Sequence, residues 1–206
     1  MKKFWFLLMV ATLTAGIMIS GCTSQTGVAP TQSATPTQEA SPSAPTPLEM
    51  LPGMALELSD FPPGFELIYE GETLPPDESS LLSDPYYQGG YSITVSNESP
   101  ELSAGEMVDQ MILVYTRPAT RERLEEIFFA HYPELANWSL SSLPDPGIGD
   151  ASIAYHFIYP ETTLSGYTIA FGKGDVYEII MTMRGDDTAD YTLAEETAKK
   201  AAGKIR

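Results

Sequence analysis

The fold turns on Asp150-Ala151-Ser152-Ile153-Ala154-Tyr155-His156-Phe157-Ile158-Tyr159 and on the stretch that follows it, Tyr167-Thr168-Ile169-Ala170-Phe171-Gly172-Lys173-Gly174-Asp175-Val176-Tyr177-Glu178-Ile179-Ile180-Met181-Thr182-Met183. In the first run Ala151, Ile153, Tyr155, Phe157 and Tyr159 alternate with the rest, the period of two that puts one set of side chains on one face of a strand. Tyr167, Ile169 and Phe171 repeat the pattern. Gly172-Lys173-Gly174-Asp175 reads as a hairpin turn into residues 176–183, a further strand. Strands joined by hairpins are antiparallel neighbours.

Upstream, residues 107–116 form a strongly apolar strand, with shorter extended runs at 55–58, 65–69 and 91–96. Arg117-Pro118 ends the apolar strand, because proline cannot continue a central strand but is well placed to open a helix. From Pro118 to His131, Leu124, Ile127, Phe128 and His131 recur at i, i+3, i+4 and i+7, a helical stripe. A last helix begins near Thr192, with Glu195 completing a capping box. Lys199, Lys200, Lys204 and Arg206 crowd its C-terminal end, where cations favour the macrodipole. No alternating βαβ units are present, so the expected class is α+β: an antiparallel sheet with two main helices packed on it.

The N-terminal part has a different character. Lys2 and Lys3 precede an apolar run from Phe4 to Ile17, and Ile19-Ser20-Gly21-Cys22 follows. A basic start, a short apolar core and small residues before a cleavage point are the parts of a secretory signal. An uncleaved anchor is the other reading, since the run lies near the lower limit of about 17 residues for a span. Both readings leave the rest of the chain outside, because Lys2 and Lys3 hold the N-terminus in the cytoplasm. Cys22 is the only cysteine, so it can make no intramolecular disulfide. The expected layout is a leader over residues 1–21, a tether over 22–50 and one domain over 51–206. In residues 23–47, ten positions are Ser or Thr and five are Pro, with no aromatic or basic residue. Such a segment cannot bury enough apolar area to offset its ordering entropy. Its composition suits an O-glycosylated stalk, reaching roughly 75 Å when extended at about 3.1 Å per residue.

Ile19-Ser20-Gly21-Cys22 resembles the lipobox of prokaryotic lipoproteins. That resemblance implies lipidation of Cys22, which becomes the mature N-terminus of a protein held at the membrane and facing outward. A domain with Phe61-Pro62-Pro63-Gly64-Phe65, Ile148-Gly149-Asp150-Ala151-Ser152 and Gly172-Lys173-Gly174-Asp175-Val176-Tyr177 behind such a leader is similar to uncharacterised surface lipoproteins of archaea and bacteria. The strand order is similar to the PsbP-like fold of extracytoplasmic accessory proteins. Members of such families mostly have no assigned activity, so the resemblance implies a location more than a chemistry.

Charge narrows the partners. The net charge is -17, and losing Lys2 and Lys3 with the leader leaves -19. Nucleic acid and anionic lipid surfaces both attract Lys and Arg clusters, so neither is an expected partner. No EF-hand loop is present. His131 and His156 are the two histidines, and no His or Cys spacing fits a metal, so no cofactor or metal is expected. Ser165-Gly166 sits in an expected turn and lacks the Gly-x-Ser-x-Gly frame of a nucleophile elbow.

Carboxylates are the abundant catalytic groups. A hydrolase reading places at least two of Asp145, Asp150, Glu178, Asp186 and His156 within about 6 Å in a cleft. Asp187 follows Asp186 at a strand end. Tyr86-Tyr87-Gln88-Gly89-Gly90-Tyr91 suggests recognition instead, because tyrosine offers contact area at low entropy cost. Tyr86, Tyr87 and Tyr91 are thus the expected contacts for a surface protein, a glycan or a small ligand. The leading expectation is a lipid-anchored, non-enzymatic binding domain; the alternative is a carboxylate- or metal-dependent hydrolase of the cell envelope. A third reading, a spacer or assembly factor, expects an exposed apolar patch. Asn137-Trp138-Ser139 is an N-glycosylation sequon, and in Asn97-Glu98-Ser99 the following Pro100 weakens the acceptor.

Overall fold

The alternating runs become strands joined by hairpins. The computed structural model describes residues 45–73, 84–97, 105–159, 164–185 and 188–205, all within one unit spanning residues 43–206. Strands β1 (Glu66–Glu72), β2 (Tyr87–Asn97) and β3 (Glu106–Tyr115) form one meander, and β4 (Ser139–Ser142), β5 (Ala151–Ile158), β6 (Ser165–Lys173) and β7 (Val176–Arg184) form another. The two join where β3 pairs with β7, which gives one seven-stranded sheet in the order β1-β2-β3-β7-β6-β5-β4. Every pairing is antiparallel. The β6–β7 turn has two central residues, and Gly174 takes a left-handed φ of 63° at the first, as a type II′ hairpin requires.

Helices cover both faces. Helices α1 (Pro47–Met54) and α3 (Tyr191–Lys204) lie on one side of the sheet, and α2 (Arg121–His131) lies on the other. On the first face Leu51, Met54, Ala194, Ala198 and Ala201 meet Val108, Ile112, Ile169 and Ile180. The alanines of α3 let its backbone approach the sheet closely. On the second face Leu124, Ile127 and Phe128 meet Leu113, Tyr115, Ile153, Phe157, Tyr177 and Ile179. The fold is α+β, with three helices rather than two among the described residues.

The expected elements shift where local chemistry competes. Helix α1 lies partly inside the expected tether, because Thr46-Pro47-Leu48-Glu49 is a capping box with proline at the first helical position. Glu49 accepts from the Thr46 N–H at 2.7 Å, and the Thr46 hydroxyl accepts from the Glu49 N–H at 3.4 Å. The expected extended run at 55–58 leads straight into a 3-10 turn at Leu58–Asp60. The expected strand at 65–69 runs on to Glu72. Helix α2 starts at Arg121 rather than Pro118. Arg117 and Pro118 instead offer both carbonyls to the Tyr177 hydroxyl, and Ala119 donates to Gly174 O. Its buried stripe is Leu124, Ile127, Phe128 and His131, as the spacing predicts. Helix α3 is capped by Asp190, whose carboxylate accepts from the Thr192 N–H at 2.8 Å, two residues ahead of the expected Thr192 box. Ser165 and Gly166 pair with Ile158 and Phe157 inside the sheet and are not a turn. Strand β4, mostly serine, carries no apolar alternation to announce it.

Candidate functional site

The expected tyrosine loop is not a loop. Gly89 and Gly90 lie within β2, which begins at Tyr87 and passes through a bulge between Tyr87 and Gly89. Asp84 sets the start: its carboxylate accepts from the Tyr86 N–H at 3.0 Å, its carbonyl accepts from the Tyr87 N–H at 3.1 Å, and Arg123 of α2 pairs with it. A β-carbon on Gly90 would sit 2.8 Å from Ile112 O and 2.9 Å from Leu113 Cδ2, so only glycine lets the strand pass there. One on Gly89 would come 2.6 Å from Leu48 Cδ2. Gly89 therefore lets Leu48 of α1 lie directly against the β2 backbone, while Gly90 lets β2 pass close to β3.

This close approach builds a cleft of about 460 Å³ between α1 and β2. Leu48, Leu51 and Pro52 form the helical wall, and Tyr87, Gly89, Gly90 and Tyr91 form the strand wall. Glu72 and Thr73 close one end. The Tyr91 hydroxyl donates to Glu70 at 2.9 Å, which holds the ring in place. The Tyr87 hydroxyl is buried and has no hydrogen-bond partner among the described residues. Burial raises its pKa, so it stays a neutral donor. The three expected contact residues separate. Tyr91 lines the cleft and Tyr87 reaches its wall, but the Tyr87 ring packs on the α2 face 5.5 Å from Tyr115, as Tyr86 does with the Arg117 guanidinium 3.2 Å above its ring centre.

A second groove, also about 460 Å³, lies between residues 143–146, Tyr167 and the start of α3 at Tyr191 and Glu195. It contains Asp145, but that carboxylate accepts from the Ser152 hydroxyl and from the Gly147 N–H at 2.9 Å. These donors, Ser152 first, hold it below the usual carboxylate range. Glu195 pairs with Lys199 at 2.9 Å.

The remaining candidates have separate structural duties. Asp150 accepts from the Gly174 N–H at 2.8 Å and so braces the β6–β7 hairpin. Glu178 is 0 % exposed between the sheet and the α1–α3 layer. It accepts from the Gln110 amide at 2.8 Å, and Gln110 in turn accepts from the Leu56 N–H at 2.8 Å. Burial pushes the Glu178 carboxyl up to about 8, against the opposing effect of the Gln110 bond. His131 is buried on α2 with neither ring nitrogen partnered among the described residues, and burial pulls its pKa down to about 4. His156 stacks on Tyr167 at 4.8 Å. Asn137 is exposed at the end of a 3-10 helix, and Asn97 ends β2. Cys22, Asp186 and Asp187 lie outside the described residues.

Among the described residues no three His, Cys, Asp or Glu side chains gather as a metal site, and no helix is long and apolar enough to cross a membrane. Sequence reasoning missed the helical wall of the cleft, although Thr46-Pro47-Leu48-Glu49 carried the signal for it. No protein-family model matches the chain, and no curated protein is similar to it.

Proposed function

We propose that this chain is a lipid-anchored cell-surface protein whose folded domain is a non-enzymatic binding module, with the α1–β2 cleft as its ligand site. The observation that carries the reading is the cleft itself. Its volume falls in the range of about 300–1,000 Å³ of small-ligand sites. It also combines apolar walls from Leu48, Leu51 and Tyr91 with a few polar groups, Glu72 and Thr73 among them. A sugar or aromatic ring lying flat on the glycine backbone would meet Leu48 on one side and tyrosine on the other. The anchor rests on Ile19-Ser20-Gly21-Cys22 and the leader ahead of it. The hydrolase alternative finds less support, because Asp145, Asp150 and Glu178 are each engaged by local donors in different parts of the sheet.

Full-length protein in lipid nanodiscs, beside Cys22→Ser and Leu48→Trp, tests both parts. Intact mass should show a lipid on Cys22 and none on Cys22→Ser. Phenyl β-glucoside should receive saturation transfer from the native protein, and Leu48→Trp, which fills the cleft from a half-exposed position, should abolish it at nearly unchanged melting temperature. An unmodified Cys22 would sink the anchor. Equal transfer in Leu48→Trp, or none in the native protein at millimolar probe, would sink the cleft as the ligand site.

A further inference from the structure

Strand β1 lies at one end of the sheet and pairs only with β2. Its outward-facing backbone donors and acceptors therefore have no strand partner within the described sheet. Leu67, Ile68 and Tyr69 in its middle are 43 %, 60 % and 47 % exposed. Three consecutive large apolar residues open to solvent on an unpaired edge are avoided unless something covers them.

The register says what the cover must look like. Leu67 lies opposite Val95 and Tyr69 opposite Thr94, with Ile68 bulged between them. Glu70 and Glu72 lie opposite Ile93 and Tyr91, on the same face as Leu67, and Glu66 lies opposite Ser96, on the face of Tyr69. Each face of the strand thus offers one large apolar side chain and at least one carboxylate. Residues 66–72 contain no Lys, Arg or Pro, the residues that commonly blunt an edge. The glutamates do blunt it, but selectively. A second copy of this chain pairing through β1 would set glutamate rows against each other on a protein already at -17, and like charges across a strand pair are destabilising.

We propose that β1 is an augmentation edge for a cationic extended peptide segment, in which Lys or Arg alternates with apolar residues and which adds to the sheet as one further strand. Backbone hydrogen bonds along β1 supply the affinity, as in strand addition generally. One row of side chains places its cations against Glu70 and Glu72, and the other row places apolar groups on Tyr69. The bulge at Ile68 offsets the two halves of the edge and fixes register. This goes beyond the cleft reading: β1 contributes Glu72 to the cleft wall, and Glu70 touches the cleft only through its bond from the Tyr91 hydroxyl. Saturation transfer to phenyl β-glucoside is therefore also measured on Glu70→Lys, where unchanged transfer with weakened peptide binding separates the two surfaces.

The test uses the full chain in nonionic detergent and a fluorescein-labelled heptapeptide of alternating Lys and Val, followed by anisotropy. Saturable binding is expected, with new amide protection in residues 66–72 by hydrogen exchange. Glu70→Lys should weaken binding about tenfold, the order expected for replacing one cross-strand attraction by repulsion. A Lys-Pro peptide of the same charge cannot form the ladder and should not bind measurably. The idea fails if the Lys-Pro peptide binds as well as Lys-Val, which would mean only long-range attraction to an acidic protein. It fails equally if protection appears elsewhere in the sheet, if Glu70→Lys binds like the native chain, or if sedimentation shows that the unliganded chain dimerises through β1.

Discussion

The two ends of the sheet obey the same ladder geometry and are finished in opposite ways. At the β4 end the outer strand has four residues, three of them serine, and Leu140 turns in towards the α2 face. Trp138 just before it packs its ring 5.3 Å from Phe157 and 5.1 Å from Tyr159, and Phe128 of α2 stacks on Tyr155 at 5.5 Å. At the β1 end the outer strand has seven residues, and every side chain but Gly71 is exposed. A short polar edge beside a dense aromatic layer offers a further strand few ladder bonds and little apolar contact. A longer, apolar and acidic edge is closed to its own copies and open to a cation-bearing one. Edge length and what lies over the strand, not strand propensity, decide which end can recruit.

The sharpest way to break the comparison is to truncate one large residue at each end. Phe157→Ala, in the fully buried layer beside Trp138, should cost roughly 3–5 kcal/mol by denaturant melting. Leu67→Ala on the open edge should stay within about 0.5 kcal/mol. Comparable losses at both ends would mean that β1 is covered in solution.

A pH-dependent effect comes from the centre that the two halves share, where β3 meets β7. Glu178 has a folded pKa of about 8 against an ordinary value of 4.5. Folding therefore takes up a proton between these values: the contribution is full below about pH 4.5, declines as pH rises to about 8, and is flat beyond. The slope is at most roughly 1.4 kcal/mol per pH unit. Glu178→Gln keeps the Gln110 contact without the charge, so the difference in stability between variant and native protein should grow over that window. A parallel pair of pH curves would show that the carboxyl is solvated. His131, whose folded pKa of about 4 lies below its ordinary 6.5, works in the opposite sense and loses its contribution as pH falls through that range.

A local effect tests how firmly α1 closes the β1 half. Thr46→Ala removes one side of the capping box and should cost about 1 kcal/mol. It should appear as faster amide exchange in α1 with little change in α2 or α3. Uniform loosening of all three helices would show instead that α1 is integral to the central core.

What was legible in the residues was what repeats. The alternation over 150–159 and 167–171, the two-residue glycine turn and the Leu124–Ile127–Phe128–His131 stripe depend only on which side a chain buries, so period alone reveals them. The tyrosine segment was misread for the same reason. Gly89-Gly90 signals a turn by local preference, but in the fold the pair is held in β2 because Ile112, Leu113 and Leu48 crowd the space a β-carbon would need. That crowding comes from two segments distant in sequence, and no local pattern contains it. The acids show the same division: charge and count are properties of the sequence, whereas burial made Glu178 different from Asp145 and Asp150. Composition and period determined the class of fold and the acidic balance of the chain. Only tertiary packing decided that α1 lies against Gly89 to form a cleft, that the rings of Tyr86 and Tyr87 pack on the α2 face while Tyr91 lines the cleft, and that β1 is left uncovered among the described residues, because each depends on which distant surface reaches a strand first.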